Sequence, residues 1–330
     1  MVMKNYYVPS FSISNRMLQL VSDISALAER VRSLDLWGRH PRLRRNNRIR
    51  SVHSSLRIEA NSLSLDDVRD VLDNRYVVGP KQEVQEVKNA FAAYDSLEAL
   101  NPWSVKDLLR THGVMMRDVI KDNGKYRTGD EGVFDGKRCI FMAPGPDRVP
   151  VLMSDLLQWV KNDWGKVHPL IMSCVFHYEF VFIHPFSDGN GRMARFWQTL
   201  ILSKWQDLFQ YLPVESQIEK FQQEYYAVIN ECNHSHSDNI FVEFMLARIK
   251  EILLELIEND RANVSAQELK LLEVMQDGKI YSARKLMELL GLKTRATLLN
   301  SYLQPALHNG LIEMTLPDKP TSRNQAYKKV

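Results

Sequence analysis

A dense group of reactive side chains lies near the middle of the chain, in the stretch FIHPFSDGNGRMAR at residues 182–195. His184 can take a proton near neutral pH, and Asp188 offers a carboxylate for a divalent cation such as Mg²⁺. The glycines at 189 and 191 let backbone N–H groups turn toward a ligand without a clash from a Cβ atom. A base, a metal ligand and a cradle of amides together predict phosphoryl or nucleotidyl transfer.

Two predicted helices must hold this loop. The apolar run LIMSCVFHYEFVFIH ends at Pro185, and RMARFWQTLILSKW resumes as a helix with free N–H groups in its first turn. Arg192 and Arg195 are three residues apart, so they share one face and suit a polyphosphate. The structural alternative, a tight turn with a surface ion pair, explains the glycines and the proline but not the histidine, the aspartate and both arginines.

The stretch HPFSDGNGRMAR resembles the signature of Fic-domain proteins, His-x-Phe-x-[Asp/Glu]-Gly-Asn-Gly-Arg-x-x-Arg, at every fixed position. Family members of this form mostly transfer AMP from ATP to a Ser, Thr or Tyr hydroxyl of a target protein. The resemblance implies a role for each matching residue: His184 as general base, Asp188 as Mg²⁺ ligand, Phe186 as a buried anchor, Asn190 as a phosphate-holding side chain, Gly189 and Gly191 as the amide cradle, and Arg192 and Arg195 as partners of the β- and γ-phosphates.

A second stretch, SSLRIEAN at residues 54–61, resembles the family's inhibitory motif [Ser/Thr]-x-x-x-Glu-[Gly/Asn]. Ser55 and Glu59 are one turn apart on a helix predicted at about residues 47–61. The resemblance implies that Glu59 reaches Arg195 and displaces the γ-phosphate from it. Ala60 departs from the motif, which has Gly or Asn there. A helix with an ordinary surface glutamate is the alternative.

The segment at about 126–146 is Gly-rich and holds two short extended runs around Asp135-Gly136. Asp-Gly between such runs predicts a β-hairpin. Its position resembles the Fic flap, and this implies that a target protein binds there by strand addition.

The rest of the pattern is mainly α-helical. We predict an N-terminal helical region over residues 1–100, a Fic helical core with its hairpin flap over residues 101–260, and a winged helix-turn-helix over residues 265–330. Residues 265–330 carry ten Lys or Arg and six Asp or Glu. That surplus suits DNA, but a protein-docking role for the winged helix is left equally open.

Composition sets further bounds. The net charge of +3 is too small to indicate a nucleic-acid-binding protein by itself. Arginines are concentrated in residues 39–50, and they form either a solvated helix face or a surface that faces an anion or a partner. The three cysteines show no disulfide framework and no metal-like spacing, and no apolar run approaches a membrane span. We therefore expect a cytoplasmic protein without a membrane segment, and a homodimer is left open.

The resulting hypothesis is a protein adenylyltransferase that uses ATP and Mg²⁺, can modify itself, and is inhibited by Glu59. Two alternatives remain. The same residues could remove AMP if Glu59 oriented a water, or the chain could be an ATP-sensing DNA-binding regulator. His112 and His177 lie in other helical segments, and we interpret both as structural.

Overall fold

The computed structural model describes residues 7–34, 41–135, 138–235, 237–263, 265–308, 311–317, 319–320 and 322–329. The structure of this part is mainly helical, as the sequence predicts. Its longer helices are α1 (Asn15–Ser33), α2 (Pro41–Ile58), α3 (Leu65–Leu72), α4 (Lys81–Asp95), α5 (Val105–Met115), α6 (Val149–Asn162), α7 (Pro169–Ile183), α8 (Asn190–Trp205), α9 (Val214–Lys220), α10 (Gln222–Ser235), α11 (Asn239–Asn263), α12 (Ala266–Val274) and α13 (Ala283–Leu289). Short 3₁₀ turns lie at Leu97–Ala99 and Asp207–Tyr211.

The chain forms two compact units. One comprises Met1–Arg30 and Arg44–Leu253, and the other comprises Val31–Leu43 and Leu254–Val330. The predicted boundaries near residues 100 and 260 stay predictions. None of the described helices is both long and apolar enough to cross a membrane.

Helix α7 is the centre of the first unit. Its sequence is apolar on nearly every side, which is typical of a helix that is buried all round. Pro169 occupies its first turn, and the His168 side chain caps it by accepting the N–H of Leu170 at 3.2 Å. Helix α8 packs along α7 and is also largely buried, with Trp197 fully enclosed. Two buried helices thus hold the ends of the loop between them.

The predicted hairpin is confirmed as β1 (Gly132–Asp135) paired antiparallel with β2 (Arg138–Met142), with an irregular register between Val133 and Phe134. The helix caps read from the sequence are also present. The hydroxyl of Ser64 accepts the N–H of Asp67 at 3.1 Å, and that of Ser104 accepts the N–H of Asp107 at 3.2 Å.

The second unit contains α12, α13 and a three-stranded antiparallel sheet in the order β3 (Ile280–Ser282), β5 (Ala326–Lys329), β4 (Ile312–Met314). After α13, a helical stretch runs through Arg295–Thr297, a π-helical turn at Leu298–Leu303, and Gln304–His308. The core of this second unit is an apolar cluster that includes Leu271, Leu286, Leu298, Ala306 and Tyr327. The order of elements is consistent with the predicted winged helix.

Candidate active site

His184 stands where α7 ends. Its backbone is left-handed, with φ 52°, and its N–H still bonds the carbonyl of Phe180 at 3.0 Å. Its Nδ1 lies 3.3 Å from the carbonyl oxygen of Val181, which can only accept, so Nδ1 carries the proton. The lone pair is therefore on Nε2, the atom that a general base needs. Burial lowers the pKa of His184, although the carboxylates of Glu131 and Glu59 act in the opposite direction.

His112 contacts the loop that follows His184 and holds it in place. The Phe186 ring is fully buried and stacks on the His112 ring with centroids 3.6 Å apart. The N–H of Gly124 donates to Nδ1 of His112 at 2.9 Å, so the Nε2–H donates to the carbonyl of Asp188 at 3.0 Å. Burial lowers the pKa of His112 to about 4, which keeps this neutral tautomer at neutral pH. The interpretation of His112 as structural agrees with these contacts.

Asn190 faces the inside of the loop. Its Oδ1 accepts the N–H of Phe186 at 2.9 Å, and its Nδ2 donates to the carbonyl of Phe186 at 2.8 Å. Both polar ends of the side chain therefore brace the backbone. The phosphate-holding role implied by the resemblance stays a prediction.

The start of α8 forms the cradle. Gly189 has φ 82°, and a Cβ there would lie 2.7 Å from Sδ of Met116. At Gly191 a Cβ would collide with Oε1 of Glu59. A carboxylate oxygen thus already sits against the helix N-terminus, where free N–H groups attract an anion.

Arg192 is buried beside this cradle. Its Nη2 donates to Oδ1 of Asp188 at 3.0 Å and its Nη1 to Oε1 of Glu86 at 3.3 Å. Its Nε is buried with no hydrogen-bond partner among the residues that the structure describes. Asp188 is half-exposed, so one carboxylate of this cluster faces solvent.

Arg195 is almost completely enclosed, with 1% of its side chain exposed. Its Nη2 donates to Oε1 of Glu59 at 2.7 Å, and its Nε donates to Oγ of Ser55 at 3.0 Å. The carbonyl of Ser55 accepts a third bond at 3.0 Å. The predicted approach of Glu59 to Arg195 is therefore what the structure has.

The helix that carries Glu59 ends earlier than the range of about 47–61 predicted from the sequence. Helix α2 stops at Ile58, so Glu59 lies in the following turn. Ala60 adopts φ 66°, a left-handed conformation that costs a residue with a Cβ about 1 kcal/mol. This explains why a glycine or asparagine suits the position. Asn61 then donates to Oε2 of Glu86 at 2.9 Å and anchors the turn.

Arg127 is a residue that our sequence analysis missed. It is 3% exposed, and its guanidinium donates to the carbonyls of His184 at 2.6 Å and Gly129 at 2.7 Å, and also to that of Pro144. Its own N–H donates to the carbonyl of Pro185 at 3.0 Å. One side chain therefore joins the base of the hairpin to the end of α7. An arginine inside a Gly-rich segment, where free carbonyls are common, was the signal that the sequence offered.

A cavity of about 310 Å³ opens beside the cradle. His184, Arg195, Glu59 and Gly191 are among its lining residues. Its other lining residues are aromatic, aliphatic and amide side chains: Phe141, Val181, Phe182, Tyr225, Tyr226, Ile229, Asn230 and Asn233. Apolar walls with a few polar groups are typical of a small-molecule site, and this volume lies in the usual range.

Comparison with known proteins identifies the family. The Fic/DOC family matches residues 102–202, and a "Filamentation induced by cAMP protein Fic-like, C-terminal domain" matches residues 266–329. A crystal structure of a Fic family protein from Desulfovibrio desulfuricans G20 is 43% identical, with 98% of each chain covered and a TM-score of 0.74. The chain belongs to the Fic family.

More distant relatives match only in part. "Protein adenylyltransferase fic-1" of Caenorhabditis briggsae is 26% identical over 249 residues, which are 68% of this chain and 46% of that protein. "Protein adenylyltransferase Fic" of Culex quinquefasciatus is 31% identical over 165 residues, 47% of this chain and 32% of that one. The Fic chain described here thus spans less than half the length of these curated relatives.

The structure brings the predicted site residues into one place. All nine lie in the first unit, around the start of α8: Ser55, Glu59, His184, Asp188, Gly189, Asn190, Gly191, Arg192 and Arg195. Within the described ranges, no cluster of three His, Cys, Asp or Glu side chains could hold a metal alone. The Asp188 carboxylate beside the first turn of α8 nevertheless has the chemistry of an Mg²⁺ ligand, because Mg²⁺ needs only one or two carboxylates when phosphates and water supply its other ligands.

Proposed function

We propose that this Fic protein transfers AMP from ATP to a hydroxyl group of a target protein, and that Glu59 restrains the reaction. The observation that carries the proposal is the cradle at the start of α8. Two buried arginines and the first N–H groups of the helix lie together there, and one of these arginines, Arg195, lines the same cavity as His184. The names of the adenylyltransferase relatives support the same reaction.

The residues divide the work as follows. Arg192, Arg195 and the N–H groups of α8 bind the phosphates, and the aromatic walls of the cavity hold the adenine ring. Nε2 of His184 takes the proton of the target hydroxyl. The hydroxyl oxygen then forms a bond to the α-phosphorus, the bond between the α-phosphorus and the bridging oxygen breaks, and pyrophosphate leaves.

We assign Asp188 as the protein ligand of Mg²⁺. The ion would supply positive charge for the phosphates when bound. Asp188 is suited to this because its carboxylate is half-exposed at the edge of the cradle.

Glu59 would act by occupying part of this site. Its carboxylate holds the guanidinium of Arg195 and lies against Gly191, where the γ-phosphate of a productively bound ATP is expected. Because the Glu59 carboxylate already occupies Arg195 and the space beside Gly191, the γ-phosphate loses both partners and ATP binds in another pose.

The hairpin β1–β2 is the proposed docking place of the target. An extended segment could pair with an edge of this hairpin, and Phe141 of β2 lines the same cavity as His184. The segment would then present its hydroxyl near the base.

A cytoplasmic location is part of the proposal, and the buried free thiols of Cys174 and Cys232 agree with a reducing compartment.

The test is incubation with α-labelled ATP and Mg²⁺, followed by mass spectrometry of the labelled protein. We compare the wild type with Glu59→Gly, His184→Ala and the double variant. Label should enter protein faster with Glu59→Gly and should be absent from both variants that lack His184. No gain with Glu59→Gly, or label that persists without His184, would overturn the proposal.

Asp73→Gly is the matched control. Asp73 also follows the end of a helix, and its carboxylate also pairs with an arginine, at 2.6 Å from Arg45. This variant should label like the wild type. A gain equal to that of Glu59→Gly would indicate general loosening instead of released inhibition.

AMP removal is the second candidate, because Glu59 and His184 line the same cavity. Glu59 could orient a water there for attack on an AMP-modified side chain. In that case the wild type would release AMP from the labelled protein made by Glu59→Gly, and Glu59→Gly itself would not.

A further inference from the structure

A second cavity lies beside the hairpin β1–β2, and the proposed reaction does not use it. Its volume is about 330 Å³. Phe141 of β2 lines the cavity of His184, which we call the first cavity, and Met142, the next residue, lines the second. Consecutive side chains of a strand point to opposite faces. The two cavities therefore lie on opposite faces of β2.

A peptide that pairs with β2 would meet both cavities. β2 pairs with β1 along one edge, and no other strand of the described residues pairs with its second edge. Residues directly opposite each other on neighbouring strands turn their side chains to the same face. A peptide residue opposite Phe141 thus faces the first cavity, and the peptide residue beside it, opposite Met142, faces the second. Two adjacent residues of one target can therefore enter two different cavities.

Apolar side chains form most of the lining of the second cavity: Met142, Pro144, Leu152, Phe182 and Ile183. Met142 is 55% exposed, although it is a large hydrophobic residue at the end of a strand. Its unbranched thioether side chain can adapt its shape to a new neighbour. This lining suits the methylene groups of a peptide side chain.

The positive charge of the second cavity comes from Arg148. This arginine is exposed just before α6, and it forms no ion pair with the carboxylates of the described residues. Glu179 also lines the cavity, but it is 2% exposed, and its two carboxyl oxygens lie 2.8 and 3.0 Å from the Tyr7 hydroxyl, which donates to them. Burial raises the pKa of Glu179, so it carries less negative charge at neutral pH than an exposed glutamate does. An anionic group in this cavity can therefore pair with an arginine that has no other carboxylate partner.

We propose that the second cavity selects the target of the transfer by binding a glutamate that is adjacent to the modified residue. The methylene groups of this glutamate pack on Met142 and Leu152, and its carboxylate pairs with Arg148. The inference rests on the proposed function, because the acceptor hydroxyl at His184 is what places the neighbouring residue in the second cavity.

The test compares peptides that carry one Ser, Thr or Tyr and have Glu, Gln or Lys on one side of it or the other. Each peptide is incubated with α-labelled ATP, Mg²⁺ and the Glu59→Gly protein, and kcat/KM is measured from the incorporated label. A neighbouring Glu should raise kcat/KM about tenfold over Gln, as one charge-assisted hydrogen bond would. In the same background, Arg148→Gln should remove this preference, and Arg148→Glu should shift it to Lys.

Lys161→Glu is the matched control. Lys161 is an exposed cation in the last turn of α6, the helix that Arg148 precedes, and it lines neither cavity. This variant makes the same change of charge and should keep the preference for Glu. An equal loss of preference with Lys161→Glu would show a general effect of surface charge and would overturn the inference.

Peptide binding separates this inference from the proposed transfer. The same peptides, labelled with a fluorophore, are titrated with the His184→Ala protein with and without Arg148→Glu, and affinity is measured by anisotropy. Tighter binding of the Glu peptides without labelling by any variant would contradict the transfer alone. Equal kcat/KM and equal affinity for Glu and Gln, a preference for Glu that survives Arg148→Glu, or neither binding nor labelling of any peptide would overturn the inference. Labelling of every peptide at one rate would leave the transfer standing.

Discussion

The carboxylate of Glu59 accepts a hydrogen bond from the guanidinium of Arg195 at 2.7 Å, across 136 residues of chain. The two side chains differ in exposure, with 32% for Glu59 and 1% for Arg195. Arg195 is therefore the residue whose charge depends on the pair for stabilisation, because water cannot reach it. Removal of the carboxylate leaves a buried cation with fewer partners, and an incoming anion can replace the carboxylate.

Glu59→Gln should therefore lower stability and increase the response to nucleotide. Loss of the charge should cost about 1–3 kcal/mol, because Arg195 keeps both bonds to Ser55. The unfolding temperature should fall by a few degrees, and ATP with Mg²⁺ should raise it by more than in the wild type. Differential scanning fluorimetry measures both shifts, with Asp73→Asn as the control. An equal nucleotide shift in wild type and Glu59→Gln would contradict competition at this site.

Ser55→Ala should release the inhibition in part. The hydroxyl of Ser55 accepts from Nε of Arg195 and so fixes the guanidinium that Glu59 holds. Without it, labelling should rise above the wild type but stay below that of Glu59→Gly. Ser54→Ala is the control, since Ser54 is buried on the same helix. Labelling of Ser55→Ala at the wild-type rate would show that the hydroxyl has no part in holding Arg195.

The sequence predicted the loop between α7 and α8, these two helices and the approach of Glu59 to Arg195, because each depends on local chemistry or on a specific motif. The hairpin followed from Asp135-Gly136 for the same reason. The contacts of Arg127 and His112 could not be read, since they join segments whose packing is set by the whole core. The π-helical turn at Leu298–Leu303 was missed because regular spacing hides a single wide turn, although Pro305 marked the place.

The pH dependence of transfer should report the titration of His184. The base acts when neutral, so the rate should rise as pH increases through its pKa and then level off. Burial lowers that pKa, so the midpoint should fall below the ordinary value of 6.5. In the active Glu59→Gly background the midpoint should be lower still, because the Glu59 carboxylate acts to raise it. Initial rates of labelling across pH test this, and a midpoint above 6.5 would contradict it.

Arg127→Lys should slow transfer without weakening nucleotide binding. The guanidinium of Arg127 donates to the carbonyl of His184 and to carbonyls on both sides of the hairpin, and a lysine cannot span these acceptors in one plane. The base would then lose its fixed position relative to the docked hydroxyl. In the Glu59→Gly background we expect kcat to fall at least tenfold.

The KM for ATP should change little in the same experiment, because Arg127 donates to main-chain carbonyls of the loop and hairpin and does not line the cavity. Arg110→Lys is the control: Arg110 is exposed and pairs with Asp107 at 3.1 Å, one turn away on α5. Near-UV circular dichroism establishes that each variant is folded before kinetics are compared. A rise in KM with kcat unchanged would show that Arg127 shapes the nucleotide site and does not position the base.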